Sequence, residues 1–384
     1  MSKQIHIPVD RKAHRVVTQH DIARVCGVSQ KAVSLSLQGS SKVSDATRKR
    51  VLKAAEKLGY DPGANDAARR MRARVDGKRH RTDTVGVLLP RSFGQHPYYH
   101  AVLHGVLWVL SGLQVSVNVS YLVSPFTPEQ VPKAARRGDL DGMVIVMPEA
   151  PADLELVLET LRSASGFASQ PVSLALTSHP DYPYATADYE DGAYQSAKHL
   201  LYLGHRHILL QTLSANSLSE KQRKVGIARA FKEAGLAPRP HIHPFTIAEE
   251  WVNPTENRED ETAEYQKANE GAKRKLWQLL CKHPEITAVL AFNDISAIHT
   301  YHLLQSHGKR IPDDYSIVGF DDVYPLPGAG GRNLLTSVKI LLAEIGQCAA
   351  GLLMQDILGE PRKEYIIQPA ALMVRHTTGP VRKA

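Results

Sequence analysis

The sequence predicts two folds in one chain: an N-terminal all-α helix-turn-helix domain, then an α/β body of parallel, doubly wound sheets. One observation is the charge. Residues 1–81 hold 19 Lys and Arg against 7 Asp and Glu (+12), whereas the remainder holds 28 against 32 (−4). The second is that glycine-separated short helical patterns fill the basic segment. The third is that short apolar runs alternate with helical segments after residue 84, which is typical of parallel sheets.

Length and composition limit the class of protein. A chain of 384 residues favours two or three domains, and 43% hydrophobic residues can form a sizeable core. No apolar run is long enough to span a membrane, and residues 1–15 form a basic tail without an apolar signal region. We therefore expect a cytoplasmic protein. The cysteines Cys26, Cys281 and Cys348 are far apart, so we expect reduced thiols.

Three helices are predicted between residues 16 and 62. Thr18 can cap the first, with Asp21 three positions later, and Gly27 suits its end. Ser29 can cap the second helix, and Ser44 can cap the third. Two short helices joined by a tight glycine turn, completed by a third, are a helix-turn-helix unit.

The second of these helices is predicted to enter the major groove of DNA. Gln30 and Lys31 are expected to face outward, where Gln pairs with adenine and Lys donates to guanine. The concentrated positive charge favours a polyanionic partner. Five hydroxyl-bearing residues are expected to contact phosphates, which set register rather than sequence: Thr18, Ser29, Ser34, Ser44 and Thr47.

This module resembles the lactose/galactose/purine-repressor (LacI/GalR) family over its whole length without gaps. The resemblance rests on the runs TQHDIARVCGVS (18–29), AVS (32–34), VS (43–44), TR (47–48) and VLKAAEKLGY (51–60). The family usually has Thr and Arg where this chain has Ala32 and Leu35. Because that Arg often reads guanine, Leu35 suggests an apolar contact, for example with a thymine methyl. Lys42 and Tyr60 complete the DNA contacts predicted in this module.

A basic, Ala-rich hinge is expected at residues 63–81. In the family this segment becomes a helix on DNA, and an apolar side chain wedges into the minor groove. The gapless alignment fits poorly here, whereas a two-residue shift places Asn65, Ala68 and Met71 on the family pattern, with Met71 as the wedge. Free of DNA, such a short helix is marginal, and a flexible linker is the alternative.

The body, residues 82–384, carries a weaker resemblance to the same family along nearly its full length. It rests on runs such as LHGV (103–106), DGMV (141–144), HLLYLGHRHI (199–208) and VGFDD (318–322). The resemblance implies a two-lobed effector domain like periplasmic sugar-binding proteins. The N-lobe is then formed by residues 82–202 and 340–367, and the C-lobe by residues 203–338 and 368–384. The chain passes from one lobe to the other near residues 203, 339 and 368. The polar segment 241–272 is longer than the usual connection, either as a loop over the cleft or as a surface insertion.

Ligands of such folds bind beyond the carboxyl ends of the strands. The positions that match family ligand contacts are Asp191, Arg223, Asn293 and Asp321. Three have structural alternatives: Asp321 and Asp191 as caps of a turn and a helix, and Asn293 as a holder of the inter-lobe loop. Arg223 is the favoured contact. The candidates for an aromatic wall are Phe93, Tyr98 and Trp251.

Motifs for catalysis and cofactors are missing. The sequence has no GxGxxG after the first strand, no P-loop and no GxSxG, so neither an enzyme nor a cofactor is expected. The pairs His205-x-His207 and His241-x-His243 lack Cys or carboxylate partners at ligand spacing, and no metal is expected.

The sequence therefore predicts a homodimeric regulator of operator DNA, a repressor in the favoured interpretation, controlled by a small molecule between the lobes. Family frequency favours a carbohydrate as that molecule, and a nucleobase or nucleoside is the alternative. A sugar-binding transport protein or an enzyme of the same fold is the alternative from another class. A transport protein would need an export signal, and it would not need a helix-turn-helix.

Overall fold

The structure is a computed structural model that describes residues 17–37, 40, 42–60, 81–90, 97–146, 151–213, 217–247 and 263–381. The chain divides into two compact units, residues 1–82 and 83–384. None of the helices in the described part is both long and apolar enough to cross a membrane.

The first unit contains the predicted three helices, α1 Gln19–Cys26, α2 Gln30–Leu37 and α3 Asp45–Lys57. Ile22 of α1, Val33 of α2 and Val51 of α3 are fully buried against one another in a small core. The helix-turn-helix prediction is confirmed.

The second unit contains two six-stranded sheets. Each sheet defines a lobe. The N-lobe sheet is entirely parallel, in the order β11-β5-β4-β3-β1-β2. Its strands are β1 Thr84–Pro90, β2 Ser116–Leu122, β3 Gly142–Val146, β4 Val172–Ala175, β5 Tyr184–Ala187 and β11 Tyr365–Gln368. The C-lobe sheet, in the order β12-β10-β9-β8-β6-β7, is parallel except for the edge strand β12. Its strands are β6 His207–Thr212, β7 Ile242–Thr246, β8 Ile286–Leu290, β9 Ser316–Asp321, β10 Thr336–Ile340 and β12 Ala370–Met373.

Helices alternate with these strands, as the α/β prediction requires. They are α4 Pro97–Gly112, α5 Lys133–Arg137, α6 Pro151–Ser163, α7 Tyr189–Tyr202, α8 Leu218–Glu233, α9 Ala263–Lys282, α10 Asp294–Ser306 and α11 Leu342–Leu358. Short helical turns lie at Pro128–Gln130, Pro238–His241 and Ala329–Gly331.

Each lobe contains a very close helix pair that depends on glycine. A Cβ on Gly105 of α4 would lie 1.9 Å from the backbone oxygen of Ala343 in α11. A Cβ on Gly226 of α8 would lie 2.0 Å from the backbone oxygen of Glu190 in α7. Neither approach leaves room for a side chain, so glycine sets these two crossings.

The first passage between the lobes differs from the prediction. Helix α7 packs on α8 and on the C-lobe strands β10 and β12, so it belongs to the C-lobe. The chain therefore changes lobe at Asp188, between β5 and α7, rather than near residue 203. The chain also changes lobe between β10 and α11 and between β11 and β12.

The segment 241–272 is also not simply an insertion. Residues 242–246 form the edge strand β7, and α9 begins at Ala263. The helical segment predicted over residues 263–281 corresponds to α9, whereas β7 was not predicted, because none of its five residues is fully buried.

Candidate functional site

Side-chain caps fix the helices of the first unit. Thr18 and Asp21 form a reciprocal capping box at the start of α1, with the Thr18 hydroxyl donating to Asp21 Oδ2 over 2.7 Å. The hydroxyl of Ser29 accepts the backbone N–H of Ala32 at the start of α2. The hydroxyl of Ser44 accepts the backbone N–H of Thr47 at the start of α3. All three predicted caps are confirmed.

The exposed face of α2 carries the residues predicted to read DNA. Ser29, Gln30 and Lys31 are exposed, and Ser34 and Leu35 are half-buried. The opposite face is held by buried Val33 and Ser36, whose hydroxyl donates to the backbone oxygen of Ala32. The first turn of α2 therefore presents an amide and an ammonium to solvent.

The remaining predicted DNA contacts surround this helix. Lys42 is exposed in the loop before α3. Tyr60, after α3, is half-buried and packs against the small core. The hydroxyls of Thr18, Ser44 and Thr47 already hold bonds within their own helix starts, so a phosphate would share them. Contact of each with DNA stays a prediction.

A pocket lies at the carboxyl ends of the C-lobe strands. Its wall comes from the ends of β6, β8 and β9 and from the first turns of α8, and its lining includes Gln211, Glu220, Arg223, Phe292 and Phe320. This is the edge at which parallel α/β sheets bind ligands.

Arg223 lies in this pocket, packed on aromatic rings. Its side chain is 13% exposed, and its guanidinium lies 3.5 Å from the ring centre of Phe320. The rings of Phe292 and Tyr189 lie 5.3 and 5.6 Å away. Nη1 donates to the backbone oxygen of Phe292, and Nη2 lies 3.8 Å from Oδ1 of Asp321. The aromatic rings and the carboxylate thus hold a cation at the pocket wall.

The third nitrogen of this guanidinium is unsatisfied. Among the described residues, no hydrogen-bond partner is found for buried Nε of Arg223. A buried donor without a partner costs about 1–3 kcal/mol, which an acceptor oxygen from a bound molecule would recover.

Asp321 ends β9 in an unusual backbone conformation. Its φ is 95°, and that of Asp322 is 55°, both uncommon for residues other than glycine. Burial raises the pKa of Asp321 to about 6, although Arg223 acts to lower it. Such conformations persist only where the surroundings impose them, and they cluster at functional sites.

The surroundings of this turn are charged and well bonded. Both carboxylate oxygens of Asp322 accept from Arg375, over 2.7 and 2.9 Å. Buried Asp294 accepts the backbone N–H groups of Val323 and Tyr324 over 2.6 and 3.1 Å. Burial raises the pKa of Asp294 well above its usual value, and neighbouring Asp321 raises it further. The turn that carries Asp321 is therefore fixed from two sides.

Tyr98 approaches the same group from the N-lobe. It is 9% exposed, and its hydroxyl lies 3.5 Å from that of Tyr189. Burial raises the pKa of Tyr98, and Tyr189 and Asp321 raise it further. The structure therefore brings together three predicted residues: Tyr98, Arg223 and Asp321.

Two predicted residues have other partners. Asn293 caps α10, and its Oδ1 accepts the backbone N–H of Ser296 over 3.0 Å. Asp191 is 42% exposed, with its carboxylate 3.3 Å from Arg229. The cap of α7 is Asp188, which accepts the N–H of Asp191.

Five predicted residues lie outside the described part of the chain, and their roles stay predictions. They are Asn65, Ala68 and Met71 of the hinge, and Phe93 and Trp251 of the proposed aromatic wall.

Comparison with known proteins identifies both units. Residues 18–63 match the family model described as bacterial regulatory proteins, lacI family. Residues 197–378 match the model of a periplasmic binding protein-like domain. The chain therefore carries a lacI-family domain followed by a periplasmic binding protein-like domain.

Several known regulators match nearly the full length of this chain. The HTH-type transcriptional regulator DegA of Bacillus subtilis (strain 168) is 26% identical over 372 residues, 95% of this chain and 98% of DegA. The transcriptional regulator CelR in complex with cellobiose has a TM-score of 0.61 at 23% identity, covering 94% of this chain and 99% of CelR. The lac repressor dimer bound to operator and the anti-inducer ONPF gives the same values. The two structures support the fold.

Several groups in the pocket wall and around Arg223 were not predicted from the sequence. Tyr189, Phe292 and Phe320 surround Arg223, and Glu220 accepts the backbone N–H of Leu213 over 2.6 Å. Burial raises the pKa of Glu220. Phe292 and Phe320 stand at the ends of apolar strand runs, and that position could have identified them. Tyr189 and Glu220 carry no such signal.

Proposed function

We propose that this chain is a LacI-family transcription regulator, a repressor, that binds operator DNA as a homodimer and is controlled by a small polar ligand. The favoured ligand is a carbohydrate. The proposal fits the exposed polar face of α2 on one unit and the pocket around Arg223 on the other. Acting on bacterial DNA places the protein in the cytoplasm, and we propose binding rather than catalysis at the pocket.

The observation that carries the ligand class is the unsatisfied Nε of Arg223 beside the Asp321 carboxylate and three aromatic rings. A guanidinium and a carboxylate together donate to and accept from adjacent hydroxyls of one molecule. Aromatic rings supply an apolar surface for the C–H face of a sugar ring. CelR, of the same fold, is described with cellobiose.

The DNA half of the proposal rests on α2. We propose that Gln30 and Lys31 read base edges in the major groove, that Leu35 contacts an apolar group, and that Met71 wedges into the minor groove. A dimer would place two such helices on a near-palindromic site. Coupling is reciprocal, so a ligand that weakens DNA binding must itself bind less tightly to the DNA-bound protein.

Thermal unfolding of the full chain tests the ligand class. The panel holds ribose, glucose, cellobiose, sucrose and gluconate on one side, and adenine, hypoxanthine and adenosine on the other. A ligand at about 100 times its Kd stabilises the protein by about 2.7 kcal/mol. A shift with a sugar supports the proposal, whereas a shift with nucleobases alone replaces the carbohydrate by the alternative.

Two arginines of α8 provide the matched variants. Arg223→Ala should remove the ligand-induced shift. Arg229→Ala should keep it, because Arg229 is 41% exposed and pairs with Glu190 and Asp191 instead. A shift that survives in Arg223→Ala would place the ligand elsewhere.

A further inference from the structure

A cluster of histidines lies at the opposite end of the C-lobe sheet from the pocket. It comprises His207 at the start of β6, His241 and His243 around the start of β7, and His283 and Glu285 just before β8. Nδ1 of His207 lies 3.2 Å from Nε2 of His243. The rings of His243 and His283 are 5.0 Å apart, and those of His207 and His241 are 5.1 Å apart.

The sheet assembles this cluster from distant parts of the chain. Ile208 pairs with Ile242 in the parallel register, so His207 and His241 stand opposite each other. Alternate residues of a strand share a face, which brings His243 to the same side as His241. The register between β6 and β8 shifts at His207, a local irregularity of the kind that redirects side chains. The sequence offered two His-x-His pairs without a carboxylate, and the fold supplies one, Glu285.

The ligand atoms have the spacing of a metal site. One atom each from His207, His243 and Glu285 all lie within 4.8 Å of one another. Nitrogens bound to a tetrahedral Zn²⁺ at about 2.05 Å lie about 3.3 Å apart, close to the separation of the two imidazole nitrogens. His283 Nδ1 lies 3.0 Å from Glu285 Oε1, which holds the carboxylate in the cluster.

We propose that His207, His243 and Glu285 bind a divalent transition metal ion, Zn²⁺ first, with His283 positioning Glu285. Two imidazoles and one carboxylate suit Zn²⁺, and water completes a fourth position at this accessible site. A plain His–His hydrogen bond would account for His207 and His243. It would leave unexplained why a carboxylate oxygen of Glu285 lies within 4.8 Å of a nitrogen on each of these two rings.

His205, which forms a His-x-His pair with His207 in the sequence, has a structural role instead. It is 2% exposed, with Nδ1 2.8 Å from the hydroxyl of Thr287 and Nε2 2.9 Å from that of Ser316. Its ring nitrogens are occupied in the core, so it is not part of the metal site.

The position of the site indicates what the metal would do. Strand β7 lies at the edge of its sheet and, among the described strands, pairs with β6 alone. Pro244 within it has no N–H to donate, and the strand is mostly half-exposed. A metal joining β6, β7 and the start of β8 would fasten this edge strand, and its binding free energy would add to the stability of the lobe.

Zinc binding by the untagged full chain tests the proposal. After treatment with a chelator and dialysis, Zn²⁺ is titrated against a competing chromophoric chelator, with wild type, His243→Asn, Glu285→Gln and the control His302→Asn. His302 is an exposed histidine of α10 in the same lobe. Wild type and the control should each bind one Zn²⁺ per chain. Both cluster variants should bind at least about tenfold more weakly, the loss typical even for partners outside the ligand set.

Two further measurements separate a real site from scattered surface binding. Zn²⁺ should raise the thermal midpoint of wild type and His302→Asn but not of Glu285→Gln, which keeps the shape of the side chain. Co²⁺ should give the visible absorption of tetrahedral coordination in wild type but not in His243→Asn or Glu285→Gln. Equal Zn²⁺ affinity in all four proteins, or no binding by wild type, would overturn the proposal.

Discussion

The DNA-reading helix and the C-lobe pocket are built in opposite ways. Gln30 and Lys31 of α2 are neighbours in sequence and exposed, and Ser29 just before them caps the helix by accepting the N–H of Ala32. The pocket joins Arg223 to Phe292 and Asp321, which are distant in sequence, and its charged groups are largely buried. One region is an exposed surface that suits a large polyanion, and the other is a largely buried site in which Arg223 already pairs with Asp321 but keeps one unsatisfied nitrogen. Substitutions should therefore act on binding in the first region and on both structure and binding in the second.

The largest effect is expected where buried charges meet. Arg375→Ala leaves the Asp322 carboxylate, 10% exposed, without its two-pronged partner. We expect the free energy of unfolding of the effector unit to fall by about 3 kcal/mol, the lower end for a broken buried pair. Urea unfolding followed by circular dichroism measures it. Arg310→Ala, which breaks an exposed ion pair with Asp314, should change the urea concentration at the unfolding midpoint little. Equal losses of unfolding free energy in Arg375→Ala and Arg310→Ala would show that the buried ion pair stabilises the protein no more than the exposed one.

The next effect concerns the exposed region. Gln30→Ala should weaken binding to the preferred DNA site by about 2 kcal/mol while leaving non-specific binding nearly unchanged. Protein stability should not change, because Gln30 is exposed. Fluorescence anisotropy on the site selected from a random library, against a scrambled duplex, measures both affinities. An equal loss on both duplexes would mean that Gln30 contacts only the backbone.

The pH dependence of ligand affinity distinguishes the pocket from the surface. With a pKa of about 6, Asp321 loses its charge as the pH falls below 6. A charged acceptor binds a hydroxyl more strongly than a neutral one, so affinity should fall about tenfold between pH 7 and pH 5. Calorimetry with the ligand found by thermal shift measures this. Asp321→Asn should bind more weakly with a flatter profile, and an unchanged slope would exclude Asp321.

The raised pKa of Asp321 also makes the stability of the unliganded protein depend on pH. The unfolded chain releases the Asp321 proton near pH 4, whereas the folded protein keeps it until about pH 6. Between these values the folded state binds more protons, so the contribution of Asp321 to stability falls as the pH rises. In Asp321→Asn, the free energy of unfolding should lose the part of its pH dependence that Asp321 contributes between about pH 4 and pH 6.

The smallest effect belongs to a helix cap. Thr18→Ala should destabilise α1 by about 1 kcal/mol, because the N–H of Asp21 loses its acceptor. Hydrogen exchange of the amides of residues 19–26 should speed up about fivefold. Thr18→Ser keeps the hydroxyl and should exchange like wild type. Equal exchange in both variants would show that the cap is not needed.

The same contrast explains what the sequence could predict. Caps, glycine turns and helical spacing act over three or four residues, so the first unit was predicted with its three caps. Buried strands such as β1 and β3 stand out as apolar runs. Strands β7, β11 and β12 are edge strands with half-exposed residues, and they leave no such pattern.

Arg223 and Asp321 were both singled out in the sequence and lie 3.8 Å apart, and their contact with a ligand stays a prediction. Asn293 and Asp191 matched family positions, yet a cap and an exposed ion pair use their side chains. The approach of Tyr189 to Arg223 and of Glu285 to the histidines depends on how distant elements pack together, which local sequence patterns do not contain.

Operator binding with and without ligand tests the central claim most directly. The measurement is the Kd for the selected duplex in wild type, Arg223→Ala and Arg229→Ala, each alone and with a saturating amount of the sugar found by thermal shift. The account predicts equal affinity of all three without sugar, and a change on adding sugar in wild type and Arg229→Ala only. A change that persists in Arg223→Ala, or the absence of any change in wild type, would contradict it.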